Sequence, residues 1–198
     1  MIDRDPAIAA LDPHLAAIYE ILHGGLEDLH ALPLEDRRAF TPTTKAGIVH
    51  DYQIKRAAKY FSGFESVRVH ELDKLILFDI GQEVALRFKK LDNAFRSRNQ
   101  ASGQVLNFRG QVQLQGVSAP SNLEAGYILN RLETEIIWAG IVCPNNASTY
   151  WQVELKDATT VNTVTDLFDK SDTKENGTIF KAKKQGVVIP INRDRNGI

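Results

Sequence analysis

The chain has one cysteine and one methionine in 198 residues. A lone Cys143 cannot close an internal disulfide, and without a Cys pair or a close His/Cys cluster there is no case for structural zinc. Cys143 sits in the apolar run IIWAGIVCP, where a thiol is expected to be buried and inert rather than catalytic. Neither sign of charge dominates: 24 Lys and Arg against 25 Asp and Glu leave a net charge of −1. No global field recruits a polyanion or an acidic membrane, so any such partner must use a local patch. No apolar run approaches the roughly 18 residues of a membrane span. The start, MIDRDPAIAALDP, is acidic and too weakly apolar for a signal peptide. A cytoplasmic protein with no membrane partner is the expectation. Also missing are a GxxxxGK(S/T) phosphate loop, a glycine-rich dinucleotide fingerprint, a GxSxG elbow and an HExxH pair. There is no internal repeat and no low-complexity tract.

What is present, 43% hydrophobic and 25% charged residues, suits one globular domain. Its parts read as an N-terminal helical arm (1–35), an α/β core (43–157) and a C-terminal extension (158–198). In the arm, Asp12-Pro13 is an N-cap followed by a proline at the first helical position. Leu15, Ile18, Leu22, Leu26 and Leu29 then recur at helical spacing, in phase with Ile8 and Leu11. Gly24-Gly25 is expected to break the stripe into two shorter helices. That apolar face needs a cover, either the protein's own sheet or a second chain.

A second helix is predicted from Thr43 to Phe61, capped by Thr41, Thr43 or Thr44, with Gly47, His50, Ile54, Ala57, Ala58 and Phe61 on one face. The helical arm and this helix lack a helix-turn-helix arrangement, because strands follow. The period then falls to two: Ser66–His70, Lys74–Ile80 and Gln82–Lys89 read as three antiparallel strands, with Gly81 at the last turn. A helix over Gly103–Leu114 is weakened by Gly110. Strands Leu123–Leu129, Glu135–Cys143 and Tyr150–Leu155 follow, the middle one apolar on both sides and so central. Trp151 at a strand start reads as core. Val161–Phe168 reads as a short helix and Gly186–Ile191 as an edge strand containing Pro190. The fold class is α+β, with N-terminal helices packed on a mainly antiparallel sheet of six or seven strands.

The order α-β-β-β-α-β from Thr43 to Leu129 resembles the core of the PD-(D/E)xK nuclease family, the restriction-endonuclease-like fold. That family holds one or two magnesium ions with an acid on its second strand and an acid-x-lysine on its third. The chemistry needs carboxylates to collect a hard cation and a lysine to stabilise developing phosphorane charge. Here the third strand offers Arg87-Phe88-Lys89, with arginine in the acid's place. With a tight Gly81-Gln82 turn, Ile80 faces Glu83, Asp73 faces Lys90, and Asp79 faces Val84. Asp79 is then five residues, about 16 Å, from the Lys89 level. Asp73 and Glu71 are therefore the better metal ligands by this resemblance, with Asp92 nearby. Lys89 and Arg87 are its catalytic cations, and His50 is a general base for a metal-free variant.

From Arg87 to Arg98 stand Arg87, Lys89, Lys90, Arg96 and Arg98 against Asp92 alone, with Phe95 interleaved and Arg109 beyond. Arginines that grip phosphate and an aromatic that stacks on a base are what nucleic-acid contact requires. A solvated hairpin end is the competing reading. The pattern RFKKLD, RSRNQ, GYIL and a following Trp resembles bacterial proteins of prophage and defence-island neighbourhoods. That likeness implies a toxin–antitoxin or phage-defence setting and carries no catalytic residue. The expectation is a nucleic-acid-acting protein, nuclease-like and using Mg2+. The alternative is a non-catalytic module that binds a cognate protein partner, or a second copy as a homodimer, through the N-terminal helix.

Overall fold

The computed structural model describes residues 3–72, 75–97 and 102–156, together with the backbone of 161–165. Asp73, Lys74, Arg98 and the expected strand at 186–191 lie outside the described residues. Among the described residues, no helix is long and apolar enough to cross a membrane. The fold is α+β, as the change of period predicts. Three helices lead: α1 (Arg4–Leu11), α2 (Leu15–His30) and α3 (Leu34–Ala39). Pro13 lies in a single 3-10 turn, Asp12–His14, that joins α1 to α2 without a side-chain cap. Helix α4 (Pro42–Phe61) starts where predicted, because Thr41 Oγ1 accepts from the Thr44 N–H.

The leucine stripe is buried against the protein's own core. Leu11, Leu15, Ile18, Leu22, Leu26 and Leu29 join Val49, Ala57 and Phe61 of α4 over one face of the sheet. Gly24 and Gly25 do not break α2, which runs unbroken through them. They lie where α4 crosses: a Cβ on Gly25 would stand 2.5 Å from Gln53 Cγ and 3.0 Å from the Val49 carbonyl. The pair is there for close approach, not for a turn. Gln53 is fully buried, its Nε2 donating 3.1 Å to the Leu22 carbonyl. The buried stripe of α4 is therefore Val49, Gln53, Ala57 and Phe61: Ala57 and Phe61 are as predicted and Ile54 packs at its side, while Val49 and Gln53 replace the rest of the predicted face. Gly47 and Ala58 are exposed, and His50 flanks the stripe.

The sheet runs in sequence order: β1 (Val67–Leu72), β2 (Leu75–Ile80), β3 (Val84–Lys90), β4 (Ser121–Leu129), β5 (Ile136–Asn145), β6 (Ser148–Leu155) and β7 (Val161–Thr165). Every neighbouring pair is antiparallel except β3 and β4, which are parallel. A parallel pair needs a crossover, and α5 (Gly103–Arg109) supplies it on the opposite face. Two amides latch this crossover down. Gln111 Nε2 donates to the Asn122 and Pro144 carbonyls at 2.8 and 2.9 Å, and Asn122 Nδ2 donates to the Phe108 carbonyl at 3.2 Å. Thr43-to-Leu129 thus has the expected α-β-β-β-α-β order.

Two further expectations are corrected. The β2–β3 turn holds Gly81 and Gln82 both at left-handed φ (+61° and +60°), and Ile80 pairs with Val84, not Glu83. A one-residue change of register exchanges faces. Asp79 now lies opposite Ala85, four residues or about 13 Å from the Lys89 level, still too far to act with it. The segment 161–165 pairs with β6 as a strand, where the spacing suggested a helix. Its Val-Asn-Thr-Val-Thr composition is β-branched, and an open sheet edge gave it a ladder to join. Trp151 and Cys143 are core, as expected. Burial first, then the Glu124 charge, pushes the Cys143 thiol up to about 12.

Candidate functional site

Alternation along β3 sends Leu86 and Phe88 towards the helices and Arg87 and Lys89 towards the crossover side. The parallel partner places Glu124 directly opposite Arg87. Both are 1% exposed, so the arginine that stands in the nuclease acid's place is committed to a buried ion pair. Its Nε donates to Glu124 Oε1 at 3.1 Å, and its Nη2 donates to the same oxygen and to Ser97 Oγ at 3.2 Å. Ser97 Oγ also donates to Glu124 Oε1 at 2.8 Å. The guanidinium lies over the Phe108 ring, 4.3 Å from its centroid. Nη1 is buried and has no hydrogen-bond partner among the described residues.

Ser97 is delivered by a loop that closes on itself. Leu91 bridges to Ser97, and Asp92 Oδ1 accepts from the Ala94 and Arg96 N–H groups at 2.9 and 3.1 Å. Leu91 packs over Gly126, where a Cβ would come within 2.3 Å of the leucine methyl. Phe95 is half-buried, its backbone at φ +56°, and its ring packs edge-on to Trp138, 5.0 Å between centroids.

Two more of the described cations of the run, Lys90 and Arg96, are also held. Lys90 Nζ donates to Glu133 at 2.6 Å, and Arg96 Nη2 donates to Asp92 at 3.1 Å. Arg109, in the last turn of α5, donates from Nη1 to the Ser97 carbonyl at 3.4 Å, and its Nε is buried without a partner. Lys89 alone of the described cations from 87 to 96 has no ion pair among the described residues. Burial, then the charge of Arg87, lowers its ammonium to about 8 against the pull of Glu124. No family model, no curated protein and no solved structure matches the chain.

Glu71 lies on the edge strand β1, exposed and level with Ile76, two strands from Lys89. Asp73, its expected companion, and Arg98 are outside the described residues. Among the described residues, no group of three His, Cys, Asp or Glu is placed to hold a metal ion. On β2, the buried Asp79 accepts from the Ser118 N–H at 3.4 Å and lies 3.6 Å from His70 Nε2.

His50 lies beside β3, hydrogen-bonded to the backbone of Phe88, with Nδ1 buried and unpartnered. Burial, then the positive charges of Lys89 and Arg87, lowers it from 6.5 to about 4, over the opposing effect of Asp51. The unfolded chain takes this proton near pH 6.5 and the folded chain only near 4. Stability is thus fullest above 6.5 and declines as pH falls towards 4. His50→Gln is expected to flatten that decline by on the order of 1–3 kcal/mol, read as urea midpoints over that window. An unchanged slope would place the proton elsewhere.

Sequence reasoning overlooked Glu124, Ser97 and Glu133. For Glu124 a signal was available: an acid inside the apolar run LEAGYIL must be paired if the strand is covered on both faces. The structure also forms a cleft of about 700 Å³ at the start of α4 and the carboxyl end of β3, lined by Thr43, Ala46, Lys90, Asp92, Arg96 and Glu133 among others. Its two cations and two carboxylates form the Lys90–Glu133 and Arg96–Asp92 pairs, so its wall is close to neutral.

Proposed function

We propose that this protein is a non-catalytic interaction module, an inhibitor, antitoxin or complex subunit, that takes a protein partner at the cleft end of the sheet. The observation that carries this is the pairing of Lys90 with Glu133 and of Arg96 with Asp92, which leaves a neutral cleft instead of a phosphate-binding track. Beside it, the β4–β5 hairpin presents apolar side chains: Leu132 is 80% and Ile137 60% exposed. Ile137 is the extra residue between the Ile128–Trp138 and Leu129–Ile136 pairs, a bulge of the kind that re-aims a side chain. Exposed apolar residues around a charge-neutral cleft suit a protein interface better than a nucleic-acid one. The N-terminal stripe is a poorer candidate, since its leucines are spent in the core.

The partner reading predicts a defined hetero-complex with the product of an adjacent gene, or a homodimer, by light scattering. Leu132→Asp with Ile137→Asp is expected to dissolve it while circular dichroism is unchanged. A monomer that co-expression leaves alone, or a complex indifferent to both changes, would defeat the proposal. The unpaired Lys89 on the third strand favours a second reading, phosphodiester chemistry in a toxin or defence protein using Mg2+. Cleavage of DNA or RNA that requires magnesium or manganese and is lost in Lys89→Ala would support it over the first.

A further inference from the structure

The Arg87 cluster holds more positive charge than its carboxylate can answer. Arg87 and Arg109 are joined through Ser97, whose hydroxyl accepts from Arg87 and whose carbonyl accepts from Arg109. Lys89 follows on the same face of β3, near enough for Arg87 to act on its ammonium. Among the described residues Glu124 is the one carboxylate hydrogen-bonded within this group, and a single oxygen, Oε1, takes both Arg87 bonds and the Ser97 hydroxyl. Arg87 Nη1 and Arg109 Nε are buried donors without acceptors among the described residues. Buried cationic donors without acceptors are costly, which is why such groups are ordinarily answered by an anion or a hydrogen-bond acceptor.

We propose that Arg87, Arg109 and Lys89 form a binding site for a phosphate group. Guanidinium N–H groups match the geometry of phosphate oxygens, and an ammonium adds a point charge with three rotatable donors. Arg87 is the fixed base of the site, locked by Glu124 and Phe108. Lys89, half-buried at the side, is the group a phosphate meets on entry. A phosphate that reaches Arg87 must be small or terminal, because the arginine is 1% exposed and an internal phosphodiester of a duplex cannot approach it. This inference does not depend on the partner-binding reading, and either can fail alone.

The test is calorimetric titration of the full chain with inorganic phosphate at fixed ionic strength, with chloride as the control anion. One saturable phosphate site is expected, with a higher melting temperature in phosphate than in chloride. Lys89→Gln and Arg109→Gln are each expected to weaken binding about tenfold, the loss of one charge-assisted contact. Both leave the Arg87–Glu124 pair in place, so folding is expected to survive, and either variant alone is sufficient. Competition by a nucleoside 5′-monophosphate would identify a nucleotide phosphate as the source, and its failure to compete would identify free phosphate. Absence of saturable binding, or unaltered binding in the folded variants, would overturn the site.

Discussion

Glu124→Ala is expected to destabilise the fold by about 3–5 kcal/mol, because it leaves a buried guanidinium without its counter-charge. Arg87 would keep the Ser97 hydroxyl and the Phe108 ring, neither of which carries negative charge. Ser97 would lose its acceptor as well, loosening the end of the 91–97 loop. Against a typical total of about 5–15 kcal/mol, the variant would stand near the edge of folding. Replacing both partners, Arg87→Met with Glu124→Leu, removes the charge and the need for compensation together. That double variant is expected to recover most of the loss, since apolar replacements of buried pairs are often neutral or stabilising. Urea unfolding of the two single variants and the double measures this. A Glu124→Ala cost below about 1 kcal/mol would mean the pair is solvated, as exposed pairs are.

The second large effect concerns the N-terminal helices. Removal of residues 1–32 is expected to unfold the protein rather than release a partner from an intact core. Leu11, Leu15, Ile18, Ile21, Leu22, Leu26 and Leu29 are all buried. Each contributes about 1.5–3 kcal/mol of transfer free energy, so together they rival the whole expected stability. Their loss would uncover Phe61 of α4 and, with it, the Phe78 and Phe88 rings of the sheet in the same core. Circular dichroism and a melting curve of the truncated chain decide the matter. A cooperative melt near that of the full chain would show the arm to be dispensable.

The elements were legible where one periodicity dominates, and the contacts were not where a polar residue has a distant partner. The α2 stripe could be read because its apolar residues keep helical spacing over a long run. The α4 face was misread because Gln53, polar in sequence, is satisfied by the Leu22 carbonyl on another helix. The β2–β3 register depended on Gln82 taking a left-handed φ, which a non-glycine residue rarely announces. The basic run misled for a related reason. Counting charges between Arg87 and Arg98 finds only Asp92, whereas two of the carboxylates that neutralise the run, Glu124 and Glu133, lie 37 and 43 residues from their partners. A local window sees the cations and misses the acids that the parallel pairing of β3 with β4, and the hairpin beyond it, carry back to them. The α-β-β-β-α-β order of elements was legible for the opposite reason, since it follows from element type alone and needs no contact.

The central proposal is that Arg87, Lys90 and Arg96 are held within the fold by Glu124, Glu133 and Asp92, and so do not form a track for a nucleic-acid backbone. Fluorescence anisotropy of labelled duplex DNA and single-stranded RNA across a salt series tests it most directly. An exposed patch carrying four net charges would give a log–log slope of about −3 to −4. The internal pairing predicts weak binding with a slope shallower than about −1. Tight binding with the steeper slope, reduced by Arg96→Ala or Lys90→Ala, would contradict the account.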